Sequence, residues 1–223
     1  MRALLLANRD DADPGFVGER LRWHGYGFIE CHREDPSEWP TLAGIDLVVS
    51  LGSEWSVYWD HVQESVEAEV ALLRATHSRQ VPILGICFGG QILSHALGGS
   101  VERAPVPEVG WHDITSTVPE LAGNGPWFQW HSDRFIPPPG ADRLAQSPHA
   151  EQASLLGRAL ALQFHPEVNE SIVARWSSGG VAELASFGIE REDLMAQTRS
   201  EVERARLAAC DLVDWFVTNV AGR

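Results

Sequence analysis

Apolar and polar positions alternate along the first half of the chain in two rhythms. Ala3 to Ala7 (ALLLA) is a short continuous apolar run, the pattern of a strand covered on both faces. Asp13 followed by Pro14 reads as a helix cap and a first-turn proline, with Val17 and Leu21 on one face of the helix they open. Phe28 to Cys31 and Asp46 to Ser50 (DLVVS) are two further strand candidates. Val62, Val66, Val70 and Leu73 recur every three or four residues, as on one face of a helix. Val81 to Ile86 (VPILGI) is a fourth strand, and a helix is expected from about Gln91 to Leu97, stopped by Gly98 and Gly99. Strands and helices joined by short links predict an α/β fold. Its central sheet is mostly parallel, with helices on both faces.

The middle of the chain changes rhythm. Val109 to Ile114, Trp127 to Phe135 and Arg143 to Ala145 predict shorter strands between turns such as Pro137-Pro138-Pro139-Gly140, hence a small additional antiparallel portion. Ala159 to Phe164 (ALALQF) is another buried strand and runs into His165. The tail is an amphipathic helix through Val202, Ala205, Ala209, Val213, Phe216 and Val220. No repeat or linker divides the sequence, so residues 1–223 are read as one domain.

Composition narrows the function. Acidic residues number 31 and basic residues 17, for a net charge of −14, which disfavours nucleic acid and anionic membrane surfaces as partners. Every basic residue is arginine. That excludes a Schiff-base lysine and a P-loop lysine. No apolar run approaches the ~18 residues of a membrane span, and the N-terminus has no cleavage-site pattern. Cys31, Cys87 and Cys210 are too widely spaced for a disulfide framework or a C-x-x-C site, and the histidines form no H-x-x-x-H set. A cytoplasmic protein without metal or cofactor is expected.

The candidate chemistry lies in two segments. In Leu84-Gly85-Ile86-Cys87-Phe88-Gly89-Gly90-Gln91 a strand ends, a glycine-flanked cysteine follows and a helix starts. This is a nucleophile elbow with sulfur in place of oxygen, and a helix N-terminus favours a thiolate. In Gln163-Phe164-His165-Pro166-Glu167 a histidine leaves a strand end with a carboxylate two residues on. Carboxyl ends of parallel strands share one sheet edge, so Cys87 and His165 can meet there. His165 is then the general base and Glu167 its orienting acid. An α/β-hydrolase places its acid before the histidine, so the order Cys, His, Glu argues against that fold.

These motifs resemble class I (triad-type) glutamine amidotransferase domains, most closely the amidotransferase half of GMP synthase as a stand-alone chain, from Met1 to about Val173. The resemblance implies Cys87, His165 and Glu167 as the catalytic triad, with Gln91 helping to hold L-glutamine. It also implies an oxyanion hole at Leu51-Gly52-Ser53-Glu54, formed by the N–H groups of Ser53 and Phe88, with Gly52 lining the substrate. Ser53 stands where the family usually has a second glycine. A turn that needs positive φ there would rest with its N–H turned away from the oxyanion. Trp130-His131-Ser132-Asp133 is similar to the segment that contacts the α-amino and α-carboxyl ends of glutamine. By the same resemblance, ammonia passes to a separate synthase subunit. A γ-glutamyl hydrolase or peptidase acting on another γ-glutamyl amide is the alternative.

Three other features stand beside these. Ser178-Gly179-Gly180-Val181 echoes the loop of ATP pyrophosphatases, but Ala182 and Glu183 follow, and a helix stop before a new helix is the better reading. Trp55, Tyr58 and Trp59, just past the oxyanion turn, are either a substrate lid or core. The mixed-charge stretch Glu190 to Arg206 reads as the solvated face of helices.

Overall fold

The computed structural model describes residues 1–123 and 125–222. Eight strands form one sheet in the order β2-β1-β3-β4-β10-β9-β8-β6. Its parallel part is β1 (Arg2–Ala7), β2 (Gly27–His32), β3 (Leu47–Ser50), β4 (Ile83–Ile86) and β10 (Ala159–Leu162). The antiparallel part is β9 (Glu151–Leu156), β8 (Asp142–Gln146) and the short β6 (Thr115–Ser116). A separate antiparallel pair joins β5 (Ser100–His112) to β7 (Trp127–Ile136).

The two sheet faces follow from side-chain alternation. Ala3, Leu5, Ala7, Val49, Leu84 and Ile86 pack in one core with Val17 and Leu21 of α1 (Gly15–Trp23) and Leu212, Val213 and Phe216 of the C-terminal helix. Leu4, Leu6, Val48 and Ile83 face the other way. They meet Val66, Val70 and Leu73 of α2 (Gln63–Ser78) and Ile92 and Leu93 of α3 (Phe88–Ala96). A one-turn helix α4 (Pro119–Ala122) lies between β6 and β7. A third apolar cluster, including Phe128, Ile172, Leu184 and Leu194, joins β7 to α5 (Glu170–Gly179), α6 (Val181–Ser186) and the start of α7 (Arg191–Asn219).

The α/β reading with a small antiparallel portion holds, with shifted boundaries. Helix α3 begins at Phe88, not near Gln91, because Gly89 and Gly90 are held by close packing despite their low helix propensity. The expected strand Val109 to Ile114 is the end of the longer β5, whose polar first half carries no apolar alternation. Ser178 to Gly180 does mark one helix ending and another beginning.

Candidate active site

Strands β3, β4 and β10 are adjacent and parallel, so the chain leaves their carboxyl ends at one edge. The three candidate segments follow those strands directly. After β4 the backbone turns sharply at Cys87, with φ 52° and ψ −110°. Among the described residues only Gln80 shares a positive φ without being glycine. Such a conformation is unfavourable for a side chain and persists where its surroundings over-determine it. Here they do: Cys87 N–H donates to Leu162 O at 2.8 Å, and Gly89 N–H to Leu51 O at 3.1 Å. A Cβ on Gly89 would collide with the carbonyl of Ser50, so only glycine lets α3 start against the end of β3.

His165 follows β10, and its N–H donates to Phe128 O at 2.9 Å. Its Nδ1 lies 2.7 Å from Glu167 Oε1, and both side chains are buried. Burial opposes the imidazolium. The Glu167 carboxylate and the sulfur of Cys87 outweigh it and hold His165 well above the usual histidine range. Trp176 of α5 stands edge-on to the imidazole at 4.9 Å between centroids, and Phe16 N–H donates to the Glu167 carbonyl at 3.0 Å. With Nδ1 donating to Glu167, the second ring proton sits on Nε2, which has no hydrogen-bond partner among the described residues.

Gly52 lies between these groups. A Cβ there would come within 3.0 Å of His165 Cε1 and 3.7 Å of Cys87 Cβ. Any side chain would fill the space between Cys87 and His165. Ser53 accepts a hydrogen bond from Trp55 N–H through its Oγ at 3.1 Å, and its φ is not positive. A non-positive φ is the conformation expected of a serine standing in place of the second glycine. Phe88, buried, is the first residue of α3.

The remaining candidates separate. Cys87 Sγ lies 3.8 Å from the Trp130 carbonyl oxygen and 3.7 Å from Gln163 Nε2. Gln91 is buried, and its amide donates to Asp133 O at 3.1 Å and Gln163 Oε1 at 3.4 Å. Its amide N–H groups thus brace β7 and the residue that follows β10. Alternation along β7 puts Trp130 and Ser132 on one face and His131 and Asp133 on the buried other. His131 Nδ1 donates to Asp133 O at 2.9 Å, and its Nε2 stands 3.3 Å from Glu108 Oε2. Burial opposes ionisation of Glu108, but the adjoining His131 ring and the Ser147 hydroxyl outweigh it and hold the carboxyl below its usual range. The Asp133 carboxylate accepts from the hydroxyls of Ser56 and Tyr58, the latter at 2.7 Å. Those two bonds dock the segment after the oxyanion turn onto β7. Trp55 joins the α2–α3 core, whereas Tyr58 and Trp59 stay largely exposed.

Residues 59–173 match the sequence model of a family described as glutamine amidotransferase class-I, which is just over half of the chain. The chain belongs to that family. The matched stretch holds Cys87, His165, Glu167 and the Trp130 to Asp133 segment, and it starts after the Gly52-Ser53 turn.

Among curated relatives of this class I amidotransferase chain, the GMP synthase [glutamine-hydrolyzing] of Staphylococcus saprophyticus is 41% identical over 164 residues. That match covers 70% of this chain and 30% of the relative. The GMP synthase [glutamine-hydrolyzing] of Aeropyrum pernix is 34% identical over 145 residues, covering 61% and 26%. The matches thus span under a third of these relatives' length. A glutamine amidotransferase of Thermotoga maritima superposes with a TM-score of 0.86 at 27% identity, over 97% of this chain and 98% of that one. A structure from Methylobacillus flagellatus shares the fold at a TM-score of 0.85 and 22% identity, over 99% and 94% of the two chains.

Sequence reasoning missed Arg33 and Glu69 behind the turn, Ser56 on Asp133, and Glu108 beside His131. Among the described residues no group of three or more His, Cys, Asp or Glu side chains is placed to hold a metal ion. Among the described residues no helix is long and apolar enough to cross a membrane.

Proposed function

We propose that this chain is a glutaminase of the amidotransferase type, with Cys87 as nucleophile, His165 as general acid and base, and Glu167 as the group that orients and charges His165. The observation that carries this reading is the convergence of a strained cysteine elbow on a buried His165–Glu167 pair joined at 2.7 Å.

The chemistry follows from the protonation state. His165 is held well above its ordinary range, so at neutral pH it carries the proton that departing ammonia needs. The Cys87 thiolate adds to the side-chain amide carbon of glutamine. The C–N bond breaks as the imidazolium protonates the nitrogen, ammonia leaves, and a γ-glutamyl thioester remains. Water then adds to the thioester while neutral His165 takes its proton. The C–S bond breaks, and glutamate and the thiolate are released. Two tetrahedral oxyanions form on the way, and the N–H groups of Ser53 and Phe88 are the donors we assign to them.

Ammonia would be consumed by a synthase on a separate subunit. The relatives named GMP synthase [glutamine-hydrolyzing] support a synthase as the consumer of ammonia. Gly52, Trp130 and Ser132 are assigned to the walls of the substrate site. Gln91, His131 and Asp133 act behind them, through the hydrogen bonds already described.

The test is a substrate panel: glutamine and several larger γ-glutamyl amides, with release of ammonia or amine measured. Glutamine is expected to be the better substrate. Rapid cleavage of the larger amides with glutamine ignored would replace this reading with a γ-glutamyl hydrolase.

A further inference from the structure

The carboxyl end of β2 delivers Arg33 into the interior, where it is fully buried. Its guanidinium has five N–H donors in a rigid planar fork, and the structure places acceptors around the whole of it. Nε donates to Glu69 Oε2 at 2.8 Å. Nη1 donates to Gly52 O at 3.0 Å and to Asn8 Oδ1 at 3.3 Å. Nη2 donates to Leu51 O at 2.8 Å, Ser50 Oγ at 3.0 Å and Glu69 Oε1 at 3.4 Å. The face of the fork lies over the ring of Phe88, 4.8 Å from its centroid. Glu69, on α2, is equally buried and also accepts from Ser50 Oγ at 2.6 Å.

A buried ion pair is a poor stabiliser, because taking two charges out of water costs as much as their attraction returns. An apolar pair at positions 33 and 69 would suit the α2 face, where Val66, Val70 and Leu73 are buried. What apolar side chains cannot do is hold backbone carbonyls. Arg33 holds two, those of Leu51 and Gly52, and it also contacts the residue next to Cys87.

Peptide geometry gives those contacts a consequence. In a trans peptide the C=O and N–H point in opposite directions. The Gly52 carbonyl is on Arg33, so the Ser53 N–H of the same peptide is directed away from the guanidinium. The Leu51 carbonyl accepts from both Arg33 and Gly89 N–H, which ties the turn to the first residues of α3. No acceptor meets the Ser53 or the Phe88 N–H among the described residues.

We propose that Arg33, neutralised by Glu69, is the positioning residue of the oxyanion hole. It fixes the orientation of the Gly52–Ser53 peptide and seats Phe88, so that both donors are in place before substrate arrives. The proposal rests on the reading that Cys87 attacks a carbonyl carbon.

The test separates carbonyl addition from simple nucleophilicity. Acylation of Cys87 by p-nitrophenyl acetate passes through an oxyanion, whereas alkylation by iodoacetamide is a displacement that forms none. Two variants are compared with the wild type: Arg33→Lys, which keeps the charge but loses the fork, and the double variant Arg33→Met/Glu69→Leu, which removes both charges together. In folded variants the acylation burst is expected to slow by ~10–10³-fold, toward the loss seen when one oxyanion donor is removed. Alkylation should stay within about twofold, and kcat for glutamine should fall with KM little changed.

Acylation and alkylation falling in parallel would overturn the proposal, as would wild-type acylation by the folded double variant. Loss of the folded state in both variants, read by circular dichroism, would make the pair a structural one and also overturn it. A wild-type protein that acylates but does not hydrolyse glutamine would contradict the substrate reading and leave this one standing.

Discussion

The elbow at Cys87 and the turn at Gly52–Ser53 leave the ends of neighbouring parallel strands and border the same space beside His165, yet they are held by opposite means. The elbow is held by backbone. Cys87 N–H is bonded to Leu162 O, Gly89 N–H to Leu51 O, and glycine at 89 lets two backbones touch. The turn is held by a side chain: its two carbonyls at 51 and 52 rest on Arg33. Backbone packing tolerates almost no substitution and leaves a dense local motif. A side-chain anchor works from a distance: Arg33 stands just past β2, and its partners lie on β3 and just past it, on α2 and just past β1.

The comparison predicts unequal responses to mutation. Cys87→Ala and His165→Ala remove reacting groups, and glutamine turnover should fall by ~10⁴–10⁶-fold in steady-state ammonia assays. Equal, small losses at both positions would contradict the site. Glu167→Gln should cost less, ~10²–10⁴-fold, because it removes orientation and charge from a group that still reacts.

The pH profile sharpens that second expectation. Glu167 raises the His165 pKa, so its loss lowers it. The imidazolium needed for ammonia departure is present below the folded pKa and lost above it. The alkaline limb of kcat against pH should therefore move to lower pH in Glu167→Gln. An unmoved limb would assign that limb to another group.

The smallest effect is expected at Ser53. A turn waiting for a second glycine would gain activity from Ser53→Gly. Here the preceding carbonyl is already held by Arg33, so turnover should change by less than about threefold. A gain approaching the ~10²-fold worth of an oxyanion donor would show that the resting turn withholds its N–H and that Arg33 does not set it.

The same contrast explains what could be read from the sequence. The parallel core was legible because its strands are short apolar runs, and the elbow because its glycines and cysteine are consecutive. His165 and Glu167 were legible as a pair two residues apart at a strand end. Strand β9 (Glu151–Leu156) and the first half of β5 were not, because their polar residues give no clean alternation. Arg33 was not legible either: an arginine after a strand ordinarily reads as solvated. One signal did exist. Glu69 falls on the same face of α2 as Val66, Val70 and Leu73, and a carboxylate on an apolar stripe demands a buried partner. The Asp133 carboxylate was expected to face substrate. It is instead occupied by Ser56 and Tyr58, whose approach across 75 or more residues of sequence no local pattern announces.

The central claim is that one of three cysteines is the nucleophile, and affinity labelling tests it most directly. Burial and the nearby Glu69 push the Cys31 thiol up to about 11, and burial likewise raises Cys210, so neither is primed to react at neutral pH. A diazo-ketone analogue of glutamine, incubated with the folded protein and followed by peptide mass spectrometry, should modify Cys87 alone, with excess glutamine slowing the reaction. Labelling spread over Cys31, Cys87 and Cys210, or absent from Cys87, would contradict the account.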